Sequence, residues 1–330
     1  MRAGDAERKS LRAKPSILAA LLLIGTVSGL AQQPVRLEPQ FAPGQSLVYQ
    51  TDIHIVRDGG AEGVIEDPHA ARHVATSLGA RLRLDVLSVV RDSGGRLQQV
   101  RLRARYEQLA VRTESDVPDP QIADREEQLR RLEGRALEFT LDAEGQVHDI
   151  AGLEEVLPEQ SQAVREWLTQ MRLRVAHPRA GIRVGQSWEE EDAQPVSVPL
   201  AGYVRRLRST YLRNEPCSAG TPTTPAALAE EPCAVILTRS ELVRRRAPAD
   251  PTPEEFRRRG LRTAGVMGGG GETLSYVSLR TGLLVSATQA SREHFDLTVS
   301  SAAGQQARYR ARLETHAQIT LLALHEPAAP

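Results

Sequence analysis

Two histidines four residues apart are the nearest approach of this sequence to a metal-binding motif. His69 and His73 follow Glu66 and Asp67, and on a helix two histidines at this spacing share one face, where they could hold Zn²⁺ together with a carboxylate. A metalloprotease motif needs a glutamate directly after the first histidine, but Ala70 stands there. The surrounding segment contains glycine and proline and has no helix signal. We therefore expect a solvated loop here, with no metal site and no other cofactor.

The sequence carries no signature of covalent catalysis. It has no G-x-S-x-G elbow. The four glycines at 268–271 lack the G-K-[ST] ending of a phosphate-binding loop, and a strand pattern follows them where such a loop needs a helix. Paired glycosidase carboxylates leave no recognisable spacing in one sequence. We expect no catalytic residues, and we keep as the alternative an exported hydrolase whose scattered site uses acids with His148 or His294.

The chain has only two cysteines, Cys217 and Cys233, and the residues between them are typical of a loop. Their spacing excludes a C-x2-C metal site. In an oxidising compartment the pair predicts one disulfide that closes this loop. The alternative is two free thiols.

Arginines alternate with apolar residues in two segments, so each set would lie on one face of a strand. The two sets are Arg101, Arg103 and Arg105, and Arg308, Arg310 and Arg312. Side by side they could form an anion-binding stripe for lipopolysaccharide, phospholipid headgroups or an acidic polymer. Because acids such as Glu107 and Glu314 follow each row, the alternative is an ordinary solvated face. The formal net charge of zero gives no support for a nucleic-acid partner.

The elements that would position these residues are mostly strands. Period-two alternation over 80–86, 100–107 and 308–321 predicts strands with one buried and one wet face, which favours an antiparallel sheet. Glycine-containing links near 92–95, 142–145, 280–282 and 303–304 predict hairpins.

Three segments have helix signals. One runs over 119–133 from an Asp-Pro start, and a short one follows a capping box at 252–255. The largest covers 158–176. Its apolar residues fall on one face, and we expect that face to cover the concave side of the sheet and to meet a ligand. The ligand-facing residues would be Val164, Trp167, Leu168 and Met171.

The N-terminus predicts a cleavable export signal. Basic residues outnumber acids over 1–14, an apolar run follows, and Gly29 and Ala31 are small residues at the −3 and −1 positions of a cut before Gln32. The apolar run is shorter than the ~20 residues of a membrane-spanning helix, although an uncleaved anchor is the alternative. No later segment predicts a transmembrane helix. We expect a periplasmic or secreted protein.

Short motifs along the chain resemble those of secreted bacterial β-rich proteins of unknown function. These motifs are an opening Phe41, Pro43, Gly44, Leu47 and Tyr49, a first hairpin with Asp142, Gly145 and Val147, and a later one with Gly271, Tyr276, Thr281, Gly282 and Leu284. The resemblance covers most of 36–322. More distantly, a long sheet with a helix on one face is similar to the periplasmic lipoprotein-carrier half-barrel, which implies acyl chains bound on the concave side. Neither resemblance implies a catalytic residue.

We predict that the chain contains an internal repeat of two similar β halves. Gly44-Gln45-Ser46 recurs as Gly185-Gln186-Ser187, and one hairpin recurs later at a similar offset. We predict a signal peptide (1–31), a first β half (32–154), a connecting amphipathic helix (155–178), a second β half (179–323) and a tail (324–330).

The predicted fold is mainly β, with a long, strongly curved antiparallel sheet, either a half-barrel or two related sheets, and one helix on its concave face. We expect an exported protein that binds a lipid, another amphiphilic envelope ligand or an envelope protein. The alternatives are the hydrolase and a structural or assembly module.

Overall fold

The computed structural model describes most of the chain after the predicted signal peptide. The described residues are 34–63, 72–118, 121–143, 145–152, 178, 180–192, 200–245 and 250–327. The predicted signal peptide, His69 and the predicted ligand-facing residues Val164, Trp167, Leu168 and Met171 lie outside them. Among the described helices, none has the length and apolar character needed to span a membrane.

Within the described residues, eleven antiparallel strands form one sheet. Its order is β5-β4-β3-β2-β1-β11-β10-β9-β8-β7-β6, so the chain builds outwards from β1 to β5 and then returns from the other edge to place β11 beside β1. The strands are β1 (Ser46–Gly63), β2 (His73–Arg91), β3 (Leu97–Ser115), β4 (Ala136–Asp142), β5 (Val147–Ala151), β6 (Ser187–Glu191), β7 (Tyr203–Pro216), β8 (Pro232–Arg244), β9 (Leu261–Ser278), β10 (Leu284–Ser301) and β11 (Gln306–His325). The predicted mainly β, antiparallel fold is confirmed, as a single sheet.

The described helices are short. They are α1 (Gln121–Arg130), α2 (Ala226–Ala229) and α3 (Glu254–Arg258). The predicted capping box of α3 is wrong: no side-chain hydrogen bond caps this helix, because the buried Thr252 instead accepts a hydrogen bond from the backbone N–H of Thr263 in β9 at 2.9 Å.

Helix α1 lies against the exposed edge of β3 beyond the end of β4. Glu126 of α1 accepts the backbone N–H of Thr113 at 2.5 Å, and Glu133 accepts that of Leu109 at 3.1 Å. Unpaired strand edges invite pairing with other chains, so these two carboxylates protect the edge of β3.

The sheet has an inner face, which carries the buried core, and an outer face, which is mostly polar. Alternation along the strands sends Leu82, Leu102 and Phe139 to the inner face, where each is at most 1% exposed. The core continues on the other strands through Tyr49, Ile236 and Val285. It lies where β1 begins, and the long strands run well past it.

The segment 34–42 crosses the end of the sheet where the core lies. Its contacts show that the sheet is curved there. The Glu38 carboxylate accepts the N–H of Leu97, which begins β3, and the N–H of Gln40 donates to the carbonyl of Thr281, just before β10. In a flat sheet β3 and β10 would be roughly 19 Å apart. The backbone oxygen of Glu38 also lies against Gly282, beside β10, so this one residue with its two contacts bridges β3 and β10 over at most about 12 Å. The sheet therefore curves towards its inner face here.

The predicted repeat motif has the same backbone hydrogen bonds in both places. Gly44 and Gly185 both have φ near +83°, and their N–H groups donate to Val86 and Tyr211 respectively. In each case the following glutamine also accepts a bond from the next strand, and its side-chain oxygen accepts the N–H three residues before it. Strands β1–β5 and β6–β10 are each a five-stranded antiparallel meander that begins with this turn, and β11 joins them.

Candidate functional site

Just beyond the core, two adjacent rows of inner-face residues contain no charged side chain from β3 to β7, although 25% of the chain's residues are charged. We call these rows the uncharged band. The first row, from β3 to β7, is Val111, Leu78, Ile53, Ala317, Gln289, Thr273, Thr238 and Ser209, and the second is Thr113, Thr76, Ile55, Thr315, Ser291, Gly271, Ser240 and Leu207. At the usual strand spacing, eight strands make a band about 34 Å long.

The uncharged band changes character along its length. In the first row it is apolar on β3, β2 and β1, and it offers amide and hydroxyl groups on β10 to β7. Both ends are buried, at Val111 (8% exposed) and Ser209 (2%), whereas Gln289 in the middle is exposed. Ser209 and Thr238 share a 2.9 Å hydrogen bond. The band is thus amphipathic, and its accessible part lies between two buried ends.

Charge returns in the next row towards the far ends of the strands. Arg205 of β7 reaches Glu293 of β10 at 2.7 Å across two intervening strands. The register partner of Glu293 is Gly269, whose lack of a side chain leaves room for this contact. Beyond it lies a second small core of Leu200, Leu242, Met267 and Leu297. The band therefore separates two apolar clusters.

The first predicted arginine row lies on the outer face near the core end. Glu138 accepts two hydrogen bonds from Arg103 at Oε1 (2.8 and 3.1 Å) and two from Arg101 at Oε2 (3.0 and 3.2 Å), and these bonds lower the pKa of Glu138. Burial acts to raise the pKa of Asp85, but hydrogen bonds from Ser46 and Arg83, with the nearby charge of Arg105, leave that pKa lowered. These arginines balance carboxylates on neighbouring strands.

The second predicted arginine row lies at the far end of β11. Arg308 makes a bidentate pair with Asp296 at 2.6 and 2.7 Å, which lowers the pKa of that carboxyl group. Arg310 contacts Asp296 and Glu62 at 3.6 Å, and the register neighbours of Arg312 are Asp58 and His294.

The structure does not bring the two arginine rows together. Both are on the outer face, but one row aligns with the start of β1 near Ser46 and the other with its end, from Asp58 to Glu62. About a dozen residues of extended strand, roughly 40 Å, separate them. An anion stripe built from both rows stays a prediction.

A polar groove of about 430 Å³ crosses the outer face of β2, β1, β11 and β10. One wall is Ser77, His54, His316 and Ala290, and the other is Gly79, Asp52, Gln318 and Thr288. These residues are two apart on each strand, so their side chains share a face and the backbone between them forms the floor.

The other residues singled out for chemistry lie apart from one another. His148 contacts Asp142 at 2.8 Å in the exposed β4–β5 hairpin, and His294 stands over Gly268. Burial raises the pKa of Tyr49, whose hydroxyl donates to the carbonyl of Leu284 at 3.0 Å, so this phenol acts as a core hydrogen-bond donor. Cys217 and Cys233 form the predicted disulfide.

Sequence reasoning missed both the uncharged band and the polar groove. The alternation of each strand gave the face on which its residues lie, but the grouping depends on the register of eight strands. One signal was readable: in the first row, threonine and glutamine occupy β8 to β10, where β1 to β3 carry isoleucine, leucine and valine.

Comparison with known proteins identifies no family. No protein-family model matches the chain, and no curated protein matches it. A solved structure entitled "Lipid-protein interactions in lipovitellin" is similar at 10% identity and a TM-score of 0.47, covering 88% of this chain and 26% of that one. The chain thus spans about a quarter of that relative.

Two further solved structures are bacterial outer membrane proteins. OprG from Pseudomonas aeruginosa is 4% identical with a TM-score of 0.17, and an outer membrane channel from Pseudomonas putida F1 is 6% identical with a TM-score of 0.19. Each match covers 86% of this chain and 97% of the other. With all three TM-scores below 0.5, these likenesses show neither a family nor a ligand.

Proposed function

We propose that this chain is an exported binding protein whose ligand is an amphiphile with an uncharged, hydroxylated headgroup, bound along the uncharged band. The observation that carries the proposal is the change within a single register row, from Val111, Leu78 and Ile53 to Gln289, Thr273 and Thr238. An acyl chain would lie on the apolar end, and a sugar or glycerol headgroup would meet the hydroxyl end.

The absence of charge from the band favours this ligand class over fatty acids or phosphate-bearing lipids. A buried carboxylate or phosphate needs a paired cation or several donors to offset its desolvation. In the row next to the band on this face, Arg205 and Glu293 already pair with each other, and Arg57 of β1 lies one row beyond Ile55. The band itself offers no cation. Hydroxyl groups of a ligand can instead exchange hydrogen bonds with threonine and glutamine side chains.

The disulfide supports a place of action beyond the cytoplasm. Disulfides form and persist in oxidising compartments such as the periplasm or the extracellular space. The Cys217–Cys233 bond therefore agrees with the export signal predicted from the N-terminus.

Matched detergents test the ligand class. The purified chain is titrated with dodecyl maltoside and with dodecyl phosphocholine, each below its micelle concentration, while Tm is followed by circular dichroism. We expect the maltoside to raise Tm and the phosphocholine to raise it much less. Native mass spectrometry of the protein as isolated should find a bound neutral lipid. An equal response to both detergents would overturn the headgroup assignment.

Isosteric variants locate the site. Thr238→Val and Thr273→Val remove hydroxyl groups from the band and keep its shape, and each should weaken maltoside binding roughly fivefold, the effect of one hydrogen bond. Thr288→Val makes the same change on the outer face and is the control. Ile53→Glu should abolish binding, whereas Val56→Glu, on the outer face of the same strand, should not. If the two faces respond alike, the band is not the site.

A further inference from the structure

A pair of histidines lies at the centre of the outer face, in the polar groove. His54 of β1 and His316 of β11 are direct register partners, and both are exposed. Residues directly opposite each other on antiparallel strands have Cβ atoms about 5 Å apart. The two imidazoles therefore rise side by side from neighbouring strands of a rigid sheet.

A third residue orients one of these rings. The Nδ1 atom of His54 lies 3.0 Å from the Oγ atom of Ser77 on β2. When Nδ1–H donates to Ser77, the lone pair of Nε2 points away from the sheet. Histidines that bind metals commonly use their second ring nitrogen in this way.

The rest of the groove leaves room above the pair. Small residues stand close by, with Ala290 next to His316 and Gly79 next to Asp52. Asp52 lies on the same face one step along β1, where its carboxylate accepts a hydrogen bond from Gln50 at 3.2 Å. No large apolar side chain stands in the groove wall.

We propose that His54 and His316 chelate one borderline divalent metal ion, Cu²⁺, Ni²⁺ or Zn²⁺, through their imidazole nitrogens, with water completing the coordination shell. Imidazole suits these three ions, and affinity among them should be greatest for Cu²⁺. Within the described part of the chain, no group of three or more His, Cys, Asp or Glu residues could hold a metal ion. The site is therefore an open two-histidine site, and it lies on the face opposite the uncharged band.

Two other described histidines are engaged differently. His73 contacts Asp58 at 2.6 Å and His148 contacts Asp142 at 2.8 Å, so each imidazole already has a carboxylate neighbour. They provide matched controls, because each is exposed and stands on the same sheet without a histidine opposite it.

The test is metal titration of the untagged full-length chain by isothermal calorimetry with CuCl2 and NiCl2. One ion should bind per chain. His54→Ala and His316→Ala should each weaken binding by roughly 100-fold, because a single imidazole lacks the chelate effect. Ser77→Ala should weaken it by roughly 10-fold. His148→Ala should leave it unchanged, and circular dichroism should show all variants folded.

A spectroscopic readout separates chelation from an indirect effect. Electron paramagnetic resonance of the Cu²⁺ complex should show hyperfine coupling to two nitrogens, which falls to one in either alanine variant. Retention of full affinity in His54→Ala or His316→Ala would overturn the proposal. So would loss of the binding in a His69→Ala/His73→Ala variant, which would place the metal at His69 and His73.

Discussion

The two halves of the sheet share a backbone plan and differ in what their side chains do with it. The turns that begin β1 and β6 have the same hydrogen bonds, and the next ladder of each half shifts register at matching places, after Val86 in β2 and after Tyr211 in β7. The side chains at equivalent positions differ. Leu102 faces Phe139 in the first half, whereas Ile236 faces Ser275 in the second.

On the outer face too, equivalent positions of the two halves carry different side chains. Arg103 pairs with Glu138 in the first half, and the equivalent partners Leu237 and Leu274 are both apolar. These differences show that a hydrogen-bonded turn accepts few residue types, whereas a strand position accepts any side chain compatible with the buried or exposed face on which it lies. Four predictions test how far the equivalence holds.

The largest expected effect is at the core positions that differ. Phe139→Ala should lower the free energy of unfolding by about 3–5 kcal/mol, because it opens a cavity under a side chain that is 1% exposed. Ser275→Ala, at the equivalent site, should cost only about 1 kcal/mol. Urea unfolding measures both. Equal costs would mean that the two halves do not share the core as the register indicates.

The second largest effect is expected at the link between the second and third strands, which differs between the two halves. In the first half it is a tight turn after β2, whereas in the second it is a longer segment closed by the Cys217–Cys233 disulfide. Replacing both cysteines by serine should lower stability by about 3 kcal/mol, because the unfolded chain gains freedom. In urea with a reductant, the wild type should have the same free energy of unfolding as the double variant. If the double variant is as stable as the oxidised wild type, the disulfide does not stabilise the fold.

The shared turns should respond alike. Gly44→Ala and Gly185→Ala should each cost about 1 kcal/mol, because both glycines have φ near +83° and neither has an atom close enough to clash with an added Cβ. Thermal and urea unfolding of the two variants provide the comparison. A difference larger than about 1 kcal/mol would break the equivalence of the turns.

The smallest expected effect is on the stability of the protein at low pH. Because Arg103 and Arg101 lower the pKa of Glu138 in the folded state, folding disfavours its protonation. Its contribution to stability is complete above its ordinary pKa of 4.5 and is lost as the pH falls through the lowered value. Glu138→Gln should therefore flatten the acid side of the Tm–pH profile. An unchanged slope would show that Arg101 and Arg103 do not stabilise the fold through the charge of Glu138.

The sequence predicted most local features because each depends on neighbours in the chain. The alternation over 308–321 predicted β11, and the glycine at 145 predicted the β4–β5 hairpin, since both patterns act within a few residues. The predicted capping box at 252–255 was wrong because the Thr252 hydroxyl accepts a hydrogen bond from Thr263 in β9. The arginine rows had the right faces, but their acidic partners lie on other strands.

What the sequence alone determined is the type of structure: antiparallel strands with one apolar face, the turns that join them, and a cysteine pair suited to a disulfide. Only the tertiary structure decided that all the strands form one curved sheet with β11 beside β1. That register places Ile53 in line with Thr238 and His54 opposite His316. Such groupings join residues far apart in the chain. A slip of two residues between strands leaves every side chain on the same face, so alternation alone cannot select one register.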